Sequence, residues 1–230
     1  MGQISVIIPV RDGERYLGAA IESVLGQTCA PFEVIVVDNA STDGSRAVCG
    51  RFGRRVKMID EPIPGPARAR NTGIAAATGD FIAFLDADDL WQPKKLARQI
   101  EIFAAAPEVD LVFTHMQDFV SPELSETQAA GLCAREADYA GWHASTMLAR
   151  RAAILSVGPL PDVAMGEFIA WFGLAQDAGL KSRMISESLV KRRIHMSNMT
   201  RQRREDMGGY LKAAKLLLDS RRAGIRPRDV

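Results

Sequence analysis

The 230-residue chain opens on a regular exchange between two hydrophobic periods. Residues 4–9 (ISVIIP) and 33–37 (EVIVV) are continuous apolar runs rich in β-branched side chains, the pattern of strands buried on both faces. Between them Leu17, Ala20, Ile21, Val24 and Leu25 recur at helical spacing. The alternation continues with a strand over 56–59 and a helix over 67–77 behind the proline-rich stretch 62–66. A strand over 81–85 follows, then a helix carrying Leu96, Ile100 and Phe103 behind Pro93, then a fifth strand over 110–114. Ser41, Thr42, Asp43 and Gly44 supply capping chemistry for a short helix bearing Val48 and Phe52. Strands separated by helices in this way predict βαβ units. The expected fold is therefore α/β, a mostly parallel central sheet flanked by helices, with ligands at the carboxyl ends of its strands.

Beyond about residue 118 the alternation fails. Residues 121–138 have no clear period and predict a loop or weak helix over an active face, with a strand over 142–148. Phe168, Trp171, Phe172 and Ala175 form a helical stripe ended by Gly179. Residues 201–230 hold nine Lys/Arg and four Asp/Glu, with Leu211, Ala214, Leu217 and Leu218 as the apolar face of an amphipathic C-terminal helix. The organisation read from this is one domain over 1–200, made of a nucleotide-binding half (1–115) and an acceptor-side half (116–200), followed by a basic helical extension (201–230).

With 47% hydrophobic residues the chain has ample material for a core, and 29 basic against 28 acidic side chains argue against a nucleic-acid partner. No apolar run approaches the roughly 20 residues of a transmembrane helix, and no secretory signal precedes the first strand. Cys29, Cys49 and Cys133 are widely scattered and read as free thiols. The expected location is cytoplasmic.

The polar residues that interrupt the apolar runs stand at strand ends: Asp12 after the first strand, Asp38 after the second, Asp86 and Asp88 after the fourth. Asp86-Ala87-Asp88-Asp89 is the chemical centre. Two carboxylates at i and i+2 beyond a strand can aim into one crevice, and carboxylate oxygens suit Mg2+ and Mn2+. A solvated acidic turn that caps the next helix is the alternative.

ISVIIPVRDGERYL, EVIVVDNASTDGS and PGPARARNTGIAAATGDFIAFLDADDLWQPKKL, in this order and spacing, resemble the family 2 glycosyltransferases of the GT-A fold. The likeness covers residues 3–115 in register and extends more faintly to about 200. It implies that Pro9, Val10, Asp12 and Glu14 line a nucleotide-sugar site and that Asp38 accepts a hydrogen bond from the base. It also implies that Arg70 approaches base or phosphates while Asn71 orders its loop. Asp86 would hold the ribose or a metal, Ala87 would line the nucleotide-sugar site between the acids, and Asp88 would contact the nucleotide sugar and ligate Mn2+ or Mg2+. His195, in a segment similar to the family's R-x-H-x-x-N, would complete the metal shell or touch the diphosphate. His115 and His143 read as structural. Trp91 would pack under the sugar or seal the core, with packing favoured.

Aligned on Trp171, Glu167 takes the position of the family's general base and Gly166 that of the acid before it. A surface glutamate favoured by the helix dipole is the plainer reading of Glu167. The resemblance implies metal-dependent, inverting transfer of a single sugar from a nucleotide diphosphate sugar, a UDP-sugar being favoured. The acceptor would be a hydroxyl on a saccharide or a lipid-linked molecule. Asn39, Ala40, Gly166 and Glu167 depart from the family pattern and leave open a non-catalytic, nucleotide-sugar-binding sensor or scaffold. A nucleotidyltransferase is a third reading. The terminal helix would pack in a homodimer or lie at the inner face of a membrane.

Overall fold

The structure, a computed structural model, describes residues 2–163, 165–198 and 207–223. Its first half follows the predicted alternation: β1 (Ile4–Val10), α1 (Leu17–Leu25), β2 (Glu33–Asp38), α2 (Ser45–Gly50), β3 (Lys57–Asp60), α3 (Pro66–Ala76) and β4 (Phe81–Phe84). Then come β5 (Leu90–Trp91), α4 (Lys95–Ala105), β6 (Leu111–Val120), α5 (Glu126–Ala130), β7 (Tyr139–Ala140) and β8 (Leu148–Arg150). The second half ends with α6 (Arg151–Val157), α7 (Glu167–Asp177), β9 (Ser182–Ile194) and α8 (Met207–Ala223).

The strands form one sheet in the order β3-β2-β1-β4-β8-β6-β9-β5, with β7 added to β6. β3, β2, β1 and β4 are mutually parallel, as are β6 and β9, while β8 runs antiparallel to both β4 and β6. The period of two in β1 divides the core. Val6 and Ile8 face α1 and α4, where Leu17, Ile21, Leu96 and Phe103 bury, and Ile7 faces α3, α6 and α7, where Ile74, Ile154, Phe168 and Trp171 bury. Strand order reverses between β1 and β4, and that is where a crevice opens at the carboxyl ends.

Several expectations for the second half change. The fifth strand runs ten residues to Val120, twice the predicted length, because β9 pairs with it along its whole extent. β9 itself was not legible. Its sequence, SRMISESLVKRRI, is largely polar, and register shifts around His115 break the alternation that marks a strand. The strand expected over 142–148 starts only at Leu148, leaving Trp142 in a loop. On α8 the buried positions are Gly209, Ala213 and Ser220, with Leu216 and Leu217 partly buried, so the predicted face was rotated. Leu211 and Leu218 are exposed at 66% and 51%, and Ala214 is exposed as well. The cause lies on α7. Gly173 carries no side chain and admits Leu217, whose Cδ2 is 2.7 Å from where a Cβ would stand. The rest of the predicted extension, 201–206 and 224–230, lies outside the described residues.

Ala40, in the turn after β2, has φ +58°. A left-handed backbone costs an L-residue with a Cβ about 1–2 kcal/mol, and glycine avoids this at some entropic cost in the unfolded chain. Ala40→Gly is therefore expected to raise unfolding free energy by about 0.5–1 kcal/mol in urea titrations; a loss of stability would contradict the strain.

Candidate active site

The loop after β1 is bound to the loop after β2 through carboxylates. Asp12 Oδ1 accepts from the Thr42 amide at 2.7 Å and Glu14 Oε2 from the Gly44 amide at 2.9 Å, while the Glu14 amide donates to Asp43 Oδ2 at 2.8 Å. Asp12 and Glu14, placed in the nucleotide site by resemblance, here join the two loops. Pro9 and Val10 complete the strand beneath them, and Ala87 packs partly on the core. Asp38 is buried, accepting from the Ser41 amide at 3.0 Å and pairing with Arg46 at 3.0 Å. Asn39, a departure from the family pattern, uses its whole amide locally. Its Nδ2 donates to the Glu61 and Ile63 carbonyls, and its Oδ1 accepts from the Gly65 amide, so it fixes the proline-rich loop leading into α3.

Arg70 occupies the floor of the crevice. It is buried in α3 and forks between two carboxylates, Nη2 to Asp86 Oδ1 and Nη1 to Glu167 Oε1, each at 2.6 Å. Resemblance aimed Arg70 at base or phosphates, whereas here it joins the acid at the end of β4 to the proposed base at the start of α7. Burial disfavours the charge on Asp86, but Arg70, aided by His143, outweighs it and holds the carboxyl below the usual aspartate range. Glu167 is buried, unlike an ordinary surface glutamate. Gly166 before it has φ +81° and serves as the N-cap, so an acid at this position would be strained in this turn.

Asp88 lies on the other side of the acidic turn. Its Oδ2 faces His195 Nε2 at 3.0 Å and accepts from Asn198 Nδ2 at 3.3 Å. His195 Nδ1 is 2.9 Å from Ser197 Oγ, a hydroxyl that serves either tautomer, and the ring lies 4.6 Å from that of Tyr16. The two residues expected to share a metal, Asp88 and His195, are therefore brought together from positions 107 apart in sequence. Arg193 braces the acidic turn. Its amide donates to Asp89 Oδ1, its Nε to the Asp88 carbonyl and its Nη1 to Ser121 Oγ, with the guanidinium between the rings of Tyr16 and Phe119.

Two further residues, Asp89 from the acidic turn and His143, stand beside these acids. Asp89 is buried, and its pKa is pushed well above the usual value by burial and then by the charges of Asp88 and Asp86. His143, read as structural, sits with Nε2 3.7 Å from Asp86 Oδ2, and one ligand atom each from Asp86, Asp89 and His143 lies within 4.8 Å of the others. Burial lowers the His143 pKa more than Asp86 raises it, favouring the neutral imidazole that binds metals. Nothing in the sequence around His143 signals this. Asp86, Asp89 and His143 offer oxygen and imidazole donors that suit a divalent cation, with Asp88 and His195 paired beside them and Arg70, Arg192 and Arg193 bringing nearby positive charge. Trp91, 4% exposed, donates from Nε1 to the Ser145 carbonyl and seals the core, as favoured.

The model of the family described as glycosyl transferase family 2 matches residues 5–149. The chain belongs to that family. Among its family 2 relatives, an Escherichia coli UDP-Glc:alpha-D-GlcNAc-diphosphoundecaprenol beta-1,3-glucosyltransferase is 43% identical over 101 residues, covering 43% of this chain and 40% of that one. The chain spans less than half the length of the curated relatives it matches. In fold, this family 2 chain is similar to S. aureus TarS in complex with UDP, with TM-score 0.73 and 18% identity over 94% of this chain and 64% of that one. It is likewise similar to a Pyrobaculum calidifontis mannosyltransferase in complex with GDP-Man and Mn2+, with TM-score 0.72 and 19% identity over 93% and 64%. The fold is GT-A, with a helix, α8, following the last strand.

Proposed function

We propose that this chain transfers a single sugar from a nucleotide diphosphate sugar, a UDP-sugar by preference, to an acceptor hydroxyl with inversion at the anomeric carbon. The observation that carries this reading is the Arg70 fork, which ties a buried glutamate at a helix start to the strand-end acids of the crevice at 2.6 Å on each side. The UDP-sugar donor and the saccharide on a lipid diphosphate named for the E. coli relative support the substrate classes chosen here.

In this reading the donor lies over the ends of β1, β2 and β4, its base beside Asp38. Asp88 and His195 would hold Mn2+ or Mg2+, with Asp86, Asp89 and His143 as the neighbouring donors. The bound ion supplies neutralisation of the charge that develops on the departing diphosphate. Glu167 takes the proton from the acceptor hydroxyl as its oxygen forms a bond to the anomeric carbon, while the bond to the diphosphate breaks on the opposite face. Arg70 keeps Glu167 and Asp86 at a fixed separation during both events. Arg192, whose charge reaches Asp86 and Asp89, lies on the side where the diphosphate would gather.

Calorimetric titration of UDP, GDP and dTDP with and without Mn2+ tests the donor site. One nucleotide is expected to bind tightly only with metal, and Asp88→Ala to weaken that binding at least about tenfold, as loss of a metal-site carboxylate does. Equal binding with and without Mn2+ would remove the metal from the reading. Nucleotide binding without release of nucleoside diphosphate from any donor would favour a sensor.

A further inference from the structure

The chain has three tryptophans, of which Trp91 and Trp171 are 4% and 1% exposed, whereas Trp142 is 47% exposed. A large exposed ring is informative when it is also fixed in place. The Trp142 indole stacks on Phe172 at 5.2 Å between centroids and 21° between planes, and meets the ring of Phe113 at 5.0 Å and 57°. Phe172 in turn stacks on Phe168 at 6.5 Å and 3°.

The loop that carries Trp142 is equally constrained. The Gly141 amide donates to the Thr114 carbonyl, the Thr146 hydroxyl contacts the carbonyls of Gly141 and His143, and Ser145 Oγ accepts from the Asp86 amide. A Cβ on Gly141 would stand 2.6 Å from Thr146 Cγ2 and 2.9 Å from the Thr114 carbonyl, so no side chain fits where the loop packs on β6. Trp142 therefore adjoins the crevice twice. The next residue, His143, faces Asp86 at 3.7 Å, and the aromatic stack below it includes Phe168, which directly follows Glu167.

We propose that Trp142 is the acceptor platform, an indole face on which a pyranose ring of a saccharide acceptor stacks so that its hydroxyl reaches Glu167. This rests on the transferase reading above. Pyranose rings present a face of C–H groups that suits a flat aromatic surface, and their rim hydroxyls suit the polar groups of a crevice. A rigid ring held flat before binding gives contact area at little entropic cost. A membrane contact would more naturally use a projecting side chain, whereas this ring lies flat on Phe172.

The position of Trp142 makes the test selective, since iodide quenches fluorescence of exposed tryptophan and the other two are buried. The full chain, with Mn2+ and whichever nucleoside diphosphate calorimetry shows to bind, is titrated with methyl β-D-glucopyranoside, methyl β-D-galactopyranoside, methyl α-D-mannopyranoside and N-acetylglucosamine. At least one glycoside is expected to protect the iodide-sensitive emission saturably. By saturation-transfer NMR the same glycoside should bind Trp142→Phe, and its signal should fall at least tenfold in Trp142→Ala that circular dichroism shows to be folded. Protection by none of the four, with nucleotide binding intact, overturns the platform and leaves the transferase reading standing. Protection without any nucleotide binding overturns the transferase reading instead. Shielding by phosphatidylglycerol vesicles and by no glycoside makes Trp142 a membrane contact and also overturns the platform.

Discussion

Glu167→Gln is expected to lower the rate of nucleoside diphosphate release by about 10²–10⁴-fold, the usual contribution of a positioned general base. Glutamine keeps the size of the side chain and an oxygen that can accept from Arg70 Nη1, now 2.6 Å from Glu167 Oε1, so the crevice should keep its shape. What is lost is the capacity to take a proton. Nucleotide affinity measured by calorimetry should stay within about threefold of the parent, since the proposed mechanism puts the substituted group on the acceptor side of the anomeric carbon. A loss of kcat without a loss of donor binding separates this role from a structural one. Turnover within threefold of the parent would move the base to another residue, and His143, which faces Asp86 from the β7–β8 loop, would be the next to substitute.

Arg70→Met should destabilise the chain by about 3–5 kcal/mol in urea titrations run with EDTA, because removing one member of a buried ionic group strands the others. Two carboxylates depend on this guanidinium, and the side chains of Asp86 and Glu167 are only 25% and 11% exposed. The decisive comparison is the triple variant Arg70→Met, Asp86→Asn, Glu167→Gln. With both charges removed, most of the lost stability should return even though the proposed base is absent. If Arg70→Met alone unfolds within about 0.5 kcal/mol of the parent, the fork contributes packing only and the coupling of the two acids through Arg70 fails.

Both expectations rest on contacts that no local pattern in the sequence announces. The family motif identified Arg70, Asp86 and Glu167 singly, but assigned Arg70 to the nucleotide. Its pairing with Glu167 spans 97 residues and depends on how α7 packs against α3. The Asp88–His195 pair was legible because both residues lie in recognisable segments, each at the end of a strand that the sheet aligns. His143 and Trp142 were not. They lie in a loop whose course is set by hydrogen bonds to Thr114 and Asp86, elements 27 or more residues away.

The sequence by itself determined the alternating first half, from β1 to β4, while the strand order came from the structure. There β1, β2 and β4 are apolar on both faces and α1 carries one apolar stripe, so pattern and burial are the same information, while β3 at the sheet edge stays partly exposed. It also determined which acids stand at strand ends, since chain direction in a parallel sheet fixes which end faces the crevice. In the second half the stripe of α7 was legible, but tertiary structure decided β9 and the seating of α8. β9 is half polar yet becomes a thirteen-residue strand because β6 offers it a ladder of backbone partners, which side-chain periodicity does not encode. The buried face of α8 was likewise chosen by a neighbour. Gly173 leaves a gap on α7 that Leu217 fills, while Leu211 and Leu218, equally apolar, are left in solvent.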